Sequence, residues 1–285
     1  MSPLSARRGD DGVNVALGSL PAEPGQQNED FAAVAPGAAV LLDGASVAGA
    51  ETGCVHGVAW FSSTLGGLLL RSITAHPARP LTDCLADAIR DVRSLHEDTC
   101  DLAYRASPTS TVVAVRTGGE ALEYLVLGDS TLLLADRDGK TTAVTDQRLD
   151  EVGERLRAPV DELPTGSPEH AAALAEYRDA LTGLRNQPGG FWIAGPEPRA
   201  AEHALTGTVP LESLASVTLM SDGATRLVDQ FALADWREVL AVLGSSGPDE
   251  LIRRVREAEN GDPDGRRWPR GKASDDATVL HWALL

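Results

Sequence analysis

The sequence predicts an α+β fold in which antiparallel strands form sheets and amphipathic helices cover them. Three observations lead to this prediction. Residues 109–145 contain short apolar runs separated by glycine turns, which is typical of a β-meander. Residues 28–44 have the pattern of a hairpin, because Pro36-Gly37 separates two such runs. Residues 81–104 place apolar side chains on one helical face, and that face needs an apolar surface such as a sheet to cover.

The other elements follow in chain order. Residues 1–12 are polar and predict a loose N-terminal tail, and all of 13–285 is expected to form one domain. Residues 146–210 show no clear strand ladder and predict a flap or insertion beside the sheet. The remaining expected elements are a strand at 13–20, a helix at about 51–72, a helix at about 168–185, a strand at 216–222, helices near 232–243 and 248–259, and a closing strand at 276–285.

The composition excludes several classes of partner. A formal net charge of −17 disfavours binding to nucleic acid and to anionic membranes. No window is apolar enough for a membrane span, and the N-terminus lacks the apolar region of a signal peptide. The 3 cysteines are too few and too unevenly spaced for a disulfide framework, which predicts a reducing cytoplasm. A monomer is the expected oligomeric state.

Aspartates stand at the ends of four predicted strands. Asp43, Asp129 and Asp222 each close an apolar run, and Asp275 precedes the last one. If these ends meet, the carboxylates repel and desolvate one another, so the cluster needs protons or cations. The alternative is that each Asp-Gly is only a turn, as we expect for Asp138-Gly139.

The ordered set of motifs resembles the type-2C metal-dependent serine/threonine protein phosphatases, the PPM family, in the form of a bacterial catalytic domain. The resemblance covers residue 13 to the end. The motifs that carry it are Asn28-Glu29-Asp30, Asp43-Gly44, Ser110-Thr111, Gly128-Asp129-Ser130, Ser221-Asp222-Gly223 and Asp275-Asp276-Ala277-Thr278. It implies a four-layer α-β-β-α sandwich, with two stacked, mainly antiparallel sheets flanked by helices.

The resemblance also implies a site for two Mn²⁺ or Mg²⁺ ions, with a third, weaker ion in some members. Asp43 would bridge the two ions, and a hydroxide between them would attack phosphorus in line, which makes Asp43 and Asp222 the central catalytic residues. Oxygen ligands suit these hard cations. The implied metal ligands are Glu29, Asp30, Asp43, Gly44, Asp129, Asp222 and Asp275.

Two positions depart from the family pattern. Members commonly carry a phosphate-binding Arg five residues before the Asp of Asn-Glu-Asp, where this chain has Gly25. Some members carry a His after Asp-Gly, where this chain has Ala45. The substrate class is therefore less well indicated than the reaction.

Other residues could replace the missing groups. His56 is a candidate general acid, with a structural histidine as its alternative. The candidate phosphate ligands are Arg185, Arg199 and Arg226, each with a solvated surface Arg as its alternative. Cys54 and His56 form no zinc site without two further ligands of suitable spacing.

Three functions compete at this stage. The first is hydrolysis of phosphoserine and phosphothreonine in proteins. The second is the same chemistry on a small phosphorylated metabolite, motivated by Gly25. The third is an inactive module that binds phosphoproteins, which the complete acidic set disfavours because unfilled carboxylates cost stability.

Overall fold

A computed structural model of the protein describes residues 13–45, 52–163, 167–270 and 272–284. The tail expected at 1–12 lies outside these residues. The strands are β1 (Val13–Leu20), β2 (Phe31–Ala35), β3 (Ala38–Leu42), β4 (Gly44–Ala45), β5 (Thr109–Ser110), β6 (Val112–Gly118), β7 (Ala121–Leu127), β8 (Thr131–Asp136), β9 (Thr141–Val144), β10 (Leu205–Pro210), β11 (Leu214–Met220) and β12 (Ala277–Leu284). The helices are α1 (Val58–Ala75), α2 (Leu81–Ser94), α3 (Arg148–Asp161), α4 (Pro168–Leu184), α5 (Asp222–Asp229), α6 (Trp236–Ser246) and α7 (Pro248–Gly261), with short 3-10 helices at Pro198–His203 and Leu211–Ser213.

Two five-stranded antiparallel sheets form the centre of the fold. One has the order β1-β12-β11-β8-β9 and the other has the order β10-β7-β6-β3-β2. The short strands β4 and β5 pair separately, with Gly44 opposite Ser110. The hairpin and the meander expected from the sequence are both present.

Three apolar clusters hold four layers together. One packs α1 and α2 on the sheet that contains β3, and a second packs α5, α6 and α7 on the sheet that contains β12. The third lies between the two sheets, where Leu41, Val113 and Leu219 are fully buried. The predicted α-β-β-α sandwich is therefore confirmed.

The described part of residues 146–210 holds more regular structure than expected. The absence of a strand there was a wrong prediction, because β10 pairs with β7 along its whole length. Its sequence LTGTVP has few apolar residues, since an edge strand buries little. Helix α3 was also missed, because Gly153 and Pro159 lower its helix propensity.

Helix boundaries differ from the expected ones in the first helical layer. Helix α2 ends at Ser94 and not near 104, and the apolar spacing continues through a series of turns. Helix α1 starts at Val58, after the positive φ of Gly57, and not near 51. None of the helices in the described residues is long and apolar enough to cross a membrane.

Candidate metal centre

The aspartates predicted at strand ends meet between the two sheets. Asp43 follows β3, Asp129 follows β7, Asp222 begins α5 directly after β11, and Asp275 precedes β12. Burial raises the pKa of Asp43 well above its ordinary value, and the carboxylates of Asp30, Asp222, Asp129 and Asp275 raise it further. These four residues therefore lie within electrostatic range of Asp43, and we call the five together the acidic pocket.

The other acidic groups of the site are perturbed in the same direction. Burial raises the pKa of Asp129 to about 7, and the nearby Asp222 carboxylate adds to this effect. Burial also raises the pKa of Asp222, with a further contribution from Asp275 that Arg226 opposes. The pKa of Glu29 is raised as well, chiefly by burial. The pocket is thus a poor environment for several negative charges without cations.

Hydrogen bonds from the neighbouring strand fix the backbone of Asp43. The carbonyl oxygen of Asp43 accepts bonds from the Thr111 N–H and the Ser110 hydroxyl, each at 2.9 Å. The Asp43 N–H donates to Thr111 Oγ1 at 3.2 Å, and that hydroxyl pairs with Ser130 Oγ at 2.6 Å. The Ser110-Thr111 and Asp129-Ser130 motifs therefore also position Asp43.

Glycines let the backbone come close at two points of the site. A Cβ at Gly44 would lie 2.6 Å from the Glu29 carbonyl oxygen, and a Cβ at Gly223 would lie 1.9 Å from the Asp276 carbonyl oxygen. Neither gap can hold a side chain, so both Asp-Gly motifs require glycine for close packing.

Asp276 joins the N-terminal motif to the last strand. Its carboxylate accepts hydrogen bonds from the N–H of Ala22 at 2.7 Å and from the N–H of Glu29 at 2.6 Å. Sequence reasoning did not give Asp276 a role of its own. Its place beside Asp275 in the final motif was the available signal.

The donor set fits a hard divalent cation. Burial raises the pKa of Asp30 to about 7, yet neither of its carboxylate oxygens has a hydrogen-bond partner among the described residues. The nearby Thr278 and Ser221 hydroxyls oppose this rise in pKa, although Thr278 Oγ1 also pairs with Ser19 Oγ at 2.7 Å and Ser221 Oγ also accepts the Thr278 N–H at 2.9 Å. Such unpaired oxygens are suited to Mg²⁺ or Mn²⁺. Within the described residues, no three of these carboxylates have oxygens that all lie within 4.8 Å of one another.

Two cations contact the acidic pocket through Asp275. Arg226 is buried and donates to Glu259 at 2.6 Å and to Asp275 at 3.1 Å. Lys272, one of two lysines in the chain, lies 2.9 Å from the other oxygen of Asp275. Burial opposes the charge of Lys272, but Asp275, Asp222 and Asp43 raise its pKa above the ordinary value. Arg226, expected as a phosphate ligand, is therefore committed to two carboxylates, and the sequence reasoning missed Lys272.

The other two candidate arginines contact different groups. Arg185 is largely buried and donates to the Ser107 carbonyl oxygen at 3.4 Å, while burial lowers its pKa. Arg199 is exposed, donates to the Asn186 carbonyl oxygen at 3.4 Å and lies 5.8 Å above the Trp192 ring. None of these contacts joins either residue to the acidic pocket.

His56 lies in a different group of side chains. Its ring stacks on Trp60 at 4.3 Å, and its Nδ1 lies 3.4 Å from Cys100 Sγ. We therefore do not retain the general-acid role for His56. The position of the missing family Arg, Gly25, is exposed with a φ of 88°, a conformation that would strain an arginine.

Solved structures share this architecture. A complex of the catalytic domain of the serine threonine protein phosphatase PstP with 2 manganese ions is 16% identical, covers 95% of this chain and 97% of its own, and has a TM-score of 0.53. The PPM Ser-Thr phosphatase MsPP from Mycobacterium smegmatis, in complex with cacodylate, is 21% identical over 95% and 98%, with a TM-score of 0.54. The serine/threonine phosphatase Stp1 from Staphylococcus aureus is 15% identical over 99% and 100%, with a TM-score of 0.57. At these identities the likeness supports the fold alone.

The family follows from the sequence match. No curated protein matches the chain significantly. The family model described as Protein phosphatase 2C matches residues 21–255, which contain every motif named above except the last. The match and the acidic pocket agree with the family predicted from the strand-end aspartates, and the chain belongs to the protein phosphatase 2C family.

Proposed function

We propose that this protein removes phosphate from phosphoserine and phosphothreonine in proteins, using two divalent cations held by the acidic pocket. The observation that carries the proposal is the convergence of carboxylates from both sheets on Asp43, where burial and mutual repulsion raise their pKa values. Buried carboxylates that repel one another destabilise a fold, and such clusters are expected where bound cations neutralise them. Family membership supports the same reaction class.

Each residue of the site has a proposed part in this reaction. The proposed metal ligands are Glu29, Asp30, Asp43, Gly44, Asp129, Asp222 and Asp275. Bound Mn²⁺ or Mg²⁺ would supply Lewis acidity toward the phosphoryl oxygens and lower the pKa of water. The backbone of Asp43 is held in place by Ser110 and Thr111, so its carboxylate projects into the acidic pocket from a fixed main chain. Arg226 orients Asp275 through the bond at 3.1 Å.

Lys272 is our proposed replacement for the missing phosphate-binding Arg. Its side chain is about half exposed, at 51%, and carries a positive charge at the edge of the acidic pocket. An ammonium in this position can attract a phosphate monoester as a point charge. The mobile four-carbon stem lets it leave Asp275 when a phosphate or a cation binds.

Hydrolysis assays with purified protein test the proposal. We expect Mn²⁺-dependent release of phosphate from phosphoserine and phosphothreonine peptides, and Asp43→Asn should lower kcat/KM by on the order of 10³-fold, because metal ions contribute several kcal/mol to this chemistry. Asp138→Asn, in the exposed turn between β8 and β9, is the matched control and should retain activity.

Other outcomes separate the competing functions. Activity confined to sugar or nucleotide phosphates would replace the protein substrate with a metabolite. Wild-type protein that binds phosphopeptides without hydrolysing them in Mn²⁺ or Mg²⁺ would contradict the enzymatic proposal.

A further inference from the structure

Two cysteines and two histidines form a compact group outside the acidic pocket. Cys54 and His56 precede α1, and His96 and Cys100 follow α2. One candidate ligand atom from each residue lies within 4.8 Å of all the others. No motif of the phosphatase family uses these residues, so the proposed function leaves the group unexplained. We call it the Cys/His group.

The separations within the Cys/His group match the edges of a tetrahedron around zinc. Zinc bonds of about 2.3 Å to sulfur and about 2.0–2.1 Å to nitrogen place neighbouring ligand atoms about 3.3–3.8 Å apart. Cys54 Sγ lies 3.8 Å from His56 Nδ1, 3.6 Å from His96 Nδ1 and 3.4 Å from Cys100 Sγ. Cys100 Sγ lies 3.4 Å from His56 Nδ1. Four of the six ligand pairs are thus at or close to the required distance.

The backbone holds the two halves of the group together. The Cys100 N–H donates to the His96 carbonyl oxygen at 2.9 Å, so one helical turn places both side chains on the same side. The Asp101 N–H donates to the Gly53 carbonyl oxygen at 2.9 Å and joins this turn to the segment that carries Cys54. The ligand positions are therefore set by main-chain contacts as well as by the side chains.

The surroundings favour a filled site over a loose polar cluster. His96 is only 3% exposed, and its Nδ1 lies 3.6 Å from the Cys54 thiol. The Trp60 ring lies 4.3 Å from the ring of His56 and 5.1 Å from the ring of His96, and it covers the group on one side. Both cysteines are free, and thiols are weak hydrogen-bond partners for the buried imidazole of His96.

We propose that Cys54, His56, His96 and Cys100 bind one structural zinc ion. Two thiolates and two neutral imidazoles satisfy all four positions of a tetrahedral site and cancel the charge of Zn²⁺. Soft sulfur ligands select zinc over the Mg²⁺ or Mn²⁺ that carboxylates prefer. The four protein ligands leave no position for a substrate, so the ion has a structural task.

The zinc ion would join the start of one helix to the end of another. Helices α1 and α2 pack on the sheet that contains β3, and the segment before α1 leads back along the chain to Asp43. A metal cross-link between the residues before α1 and those after α2 would hold this layer beside the acidic pocket. The third cysteine, Cys84, is buried in α2 within the apolar cluster and takes no part.

Cobalt substitution tests the proposal without relying on activity. Metal-free wild-type protein, reduced and kept in excess Mg²⁺ to fill the acidic pocket, is titrated with Co²⁺. We expect intense visible bands of tetrahedral cobalt and a near-ultraviolet thiolate-to-cobalt band that saturate at one ion per chain and vanish when one equivalent of Zn²⁺ is added. Oxygen ligands alone give no thiolate band, so the acidic pocket cannot produce this result.

Variants assign the signal to the four residues. Cys54→Ser and Cys100→Ser should each reduce the thiolate band at least twofold and the double variant should abolish it, whereas Cys84→Ala, the matched cysteine control, should retain the full band. His56→Ala, at an exposed residue whose loss does not threaten the core, should weaken zinc binding at least tenfold in competition with a chelating dye. A wild-type titration without a thiolate band, or a Cys54–Cys100 disulfide in protein purified under reducing agent, would overturn the proposal.

Discussion

The acidic pocket and the Cys/His group are both suited to metal ions. The side chains of the acidic pocket repel one another, whereas those of the Cys/His group are in contact. In the acidic pocket, like charges face one another, and burial and repulsion raise the pKa of Asp43 and Asp129. In the Cys/His group, the ligand atoms contact one another at 3.4–3.8 Å, and no like charges oppose these contacts while the thiols are protonated. The first group destabilises the fold until cations bind, and the second is preorganised at almost no electrostatic cost.

This difference indicates different tasks. Hard oxygen ligands that bind Mn²⁺ or Mg²⁺ with open positions serve phosphoryl chemistry, whereas a closed set of sulfur and nitrogen ligands serves stability. One member of each group lies close in sequence, because Asp43 follows β3 and Cys54 precedes α1. The proposed zinc site can thus support the proposed catalytic site.

The largest effects are expected for two variants, one in the acidic pocket and one in the Cys/His group, that should change the Tm in opposite directions. Asp222→Asn should lower kcat/KM by on the order of 10³-fold, because a proposed metal ligand is lost. It should also raise the Tm of the protein in chelator, since the raised pKa of Asp222 shows that its charge is unfavourable there. With zinc present and no chelator, Cys100→Ser should instead lower the Tm by about 10 °C, because zinc at a thousand times its Kd contributes about 4 kcal/mol.

Thermal denaturation of both variants, with and without chelator, provides the measurement. Shifts of the same sign for Asp222→Asn and Cys100→Ser would remove the proposed distinction between the two groups.

The next largest effect concerns the ion pairs that support the acidic pocket. Arg226→Met should reduce the free energy of unfolding by about 2–3 kcal/mol, because the buried Glu259 and the partly buried Asp275 each lose one of two cationic partners. Arg254→Met, which removes an exposed arginine paired with Glu250 on α7, is the control and should leave the stability almost unchanged. Urea denaturation measures both values, and equal losses would contradict the supporting role of Arg226.

A smaller effect depends on pH. The pKa of Asp129 is raised from 3.8 to about 7 in the folded protein, so folding without metal becomes less favourable as the pH rises through this range. Asp129→Asn should therefore stabilise the metal-free protein more at pH 8 than at pH 5.5, by at most about 2 kcal/mol.

Comparing wild type with variant at each pH isolates Asp129 from other groups. This matters because burial lowers the pKa of His281, which costs stability at low pH in both proteins. Denaturation in chelator at the two pH values measures the difference. A stabilisation that shrinks as the pH rises would contradict the perturbed pKa.

The smallest effect is expected when Lys272, the cation at the edge of the acidic pocket, is replaced. Lys272→Met should raise the KM for phosphopeptides roughly fivefold, since a partly exposed charge contributes about 1 kcal/mol. Lys140→Met replaces the only other lysine, which lies exposed in the turn between β8 and β9, and should leave the KM unchanged. Steady-state kinetics decide the matter, and an unchanged or lower KM in Lys272→Met would exclude a phosphate-binding role.

Much of the fold was predictable because its signals are local. The hairpin, the meander and α7 follow from apolar periodicity and turn residues within short windows. Helix α3 and strand β10 were missed, since Gly153 and Pro159 weaken the helical pattern and the edge strand buries little apolar surface. The end of α2 was misplaced because successive turns can continue the same apolar spacing.

The sequence alone determined the α-β-β-α class, the family and the positions of the strand-end aspartates. Each of these rests on a few neighbouring residues, such as the five buried residues of β3 followed by Asp43. Tertiary structure alone decided which charges pair and which ligands meet. Arg226 pairs with Glu259 and Asp275, and Cys54 contacts Cys100, only after helices and strands distant in sequence have packed together.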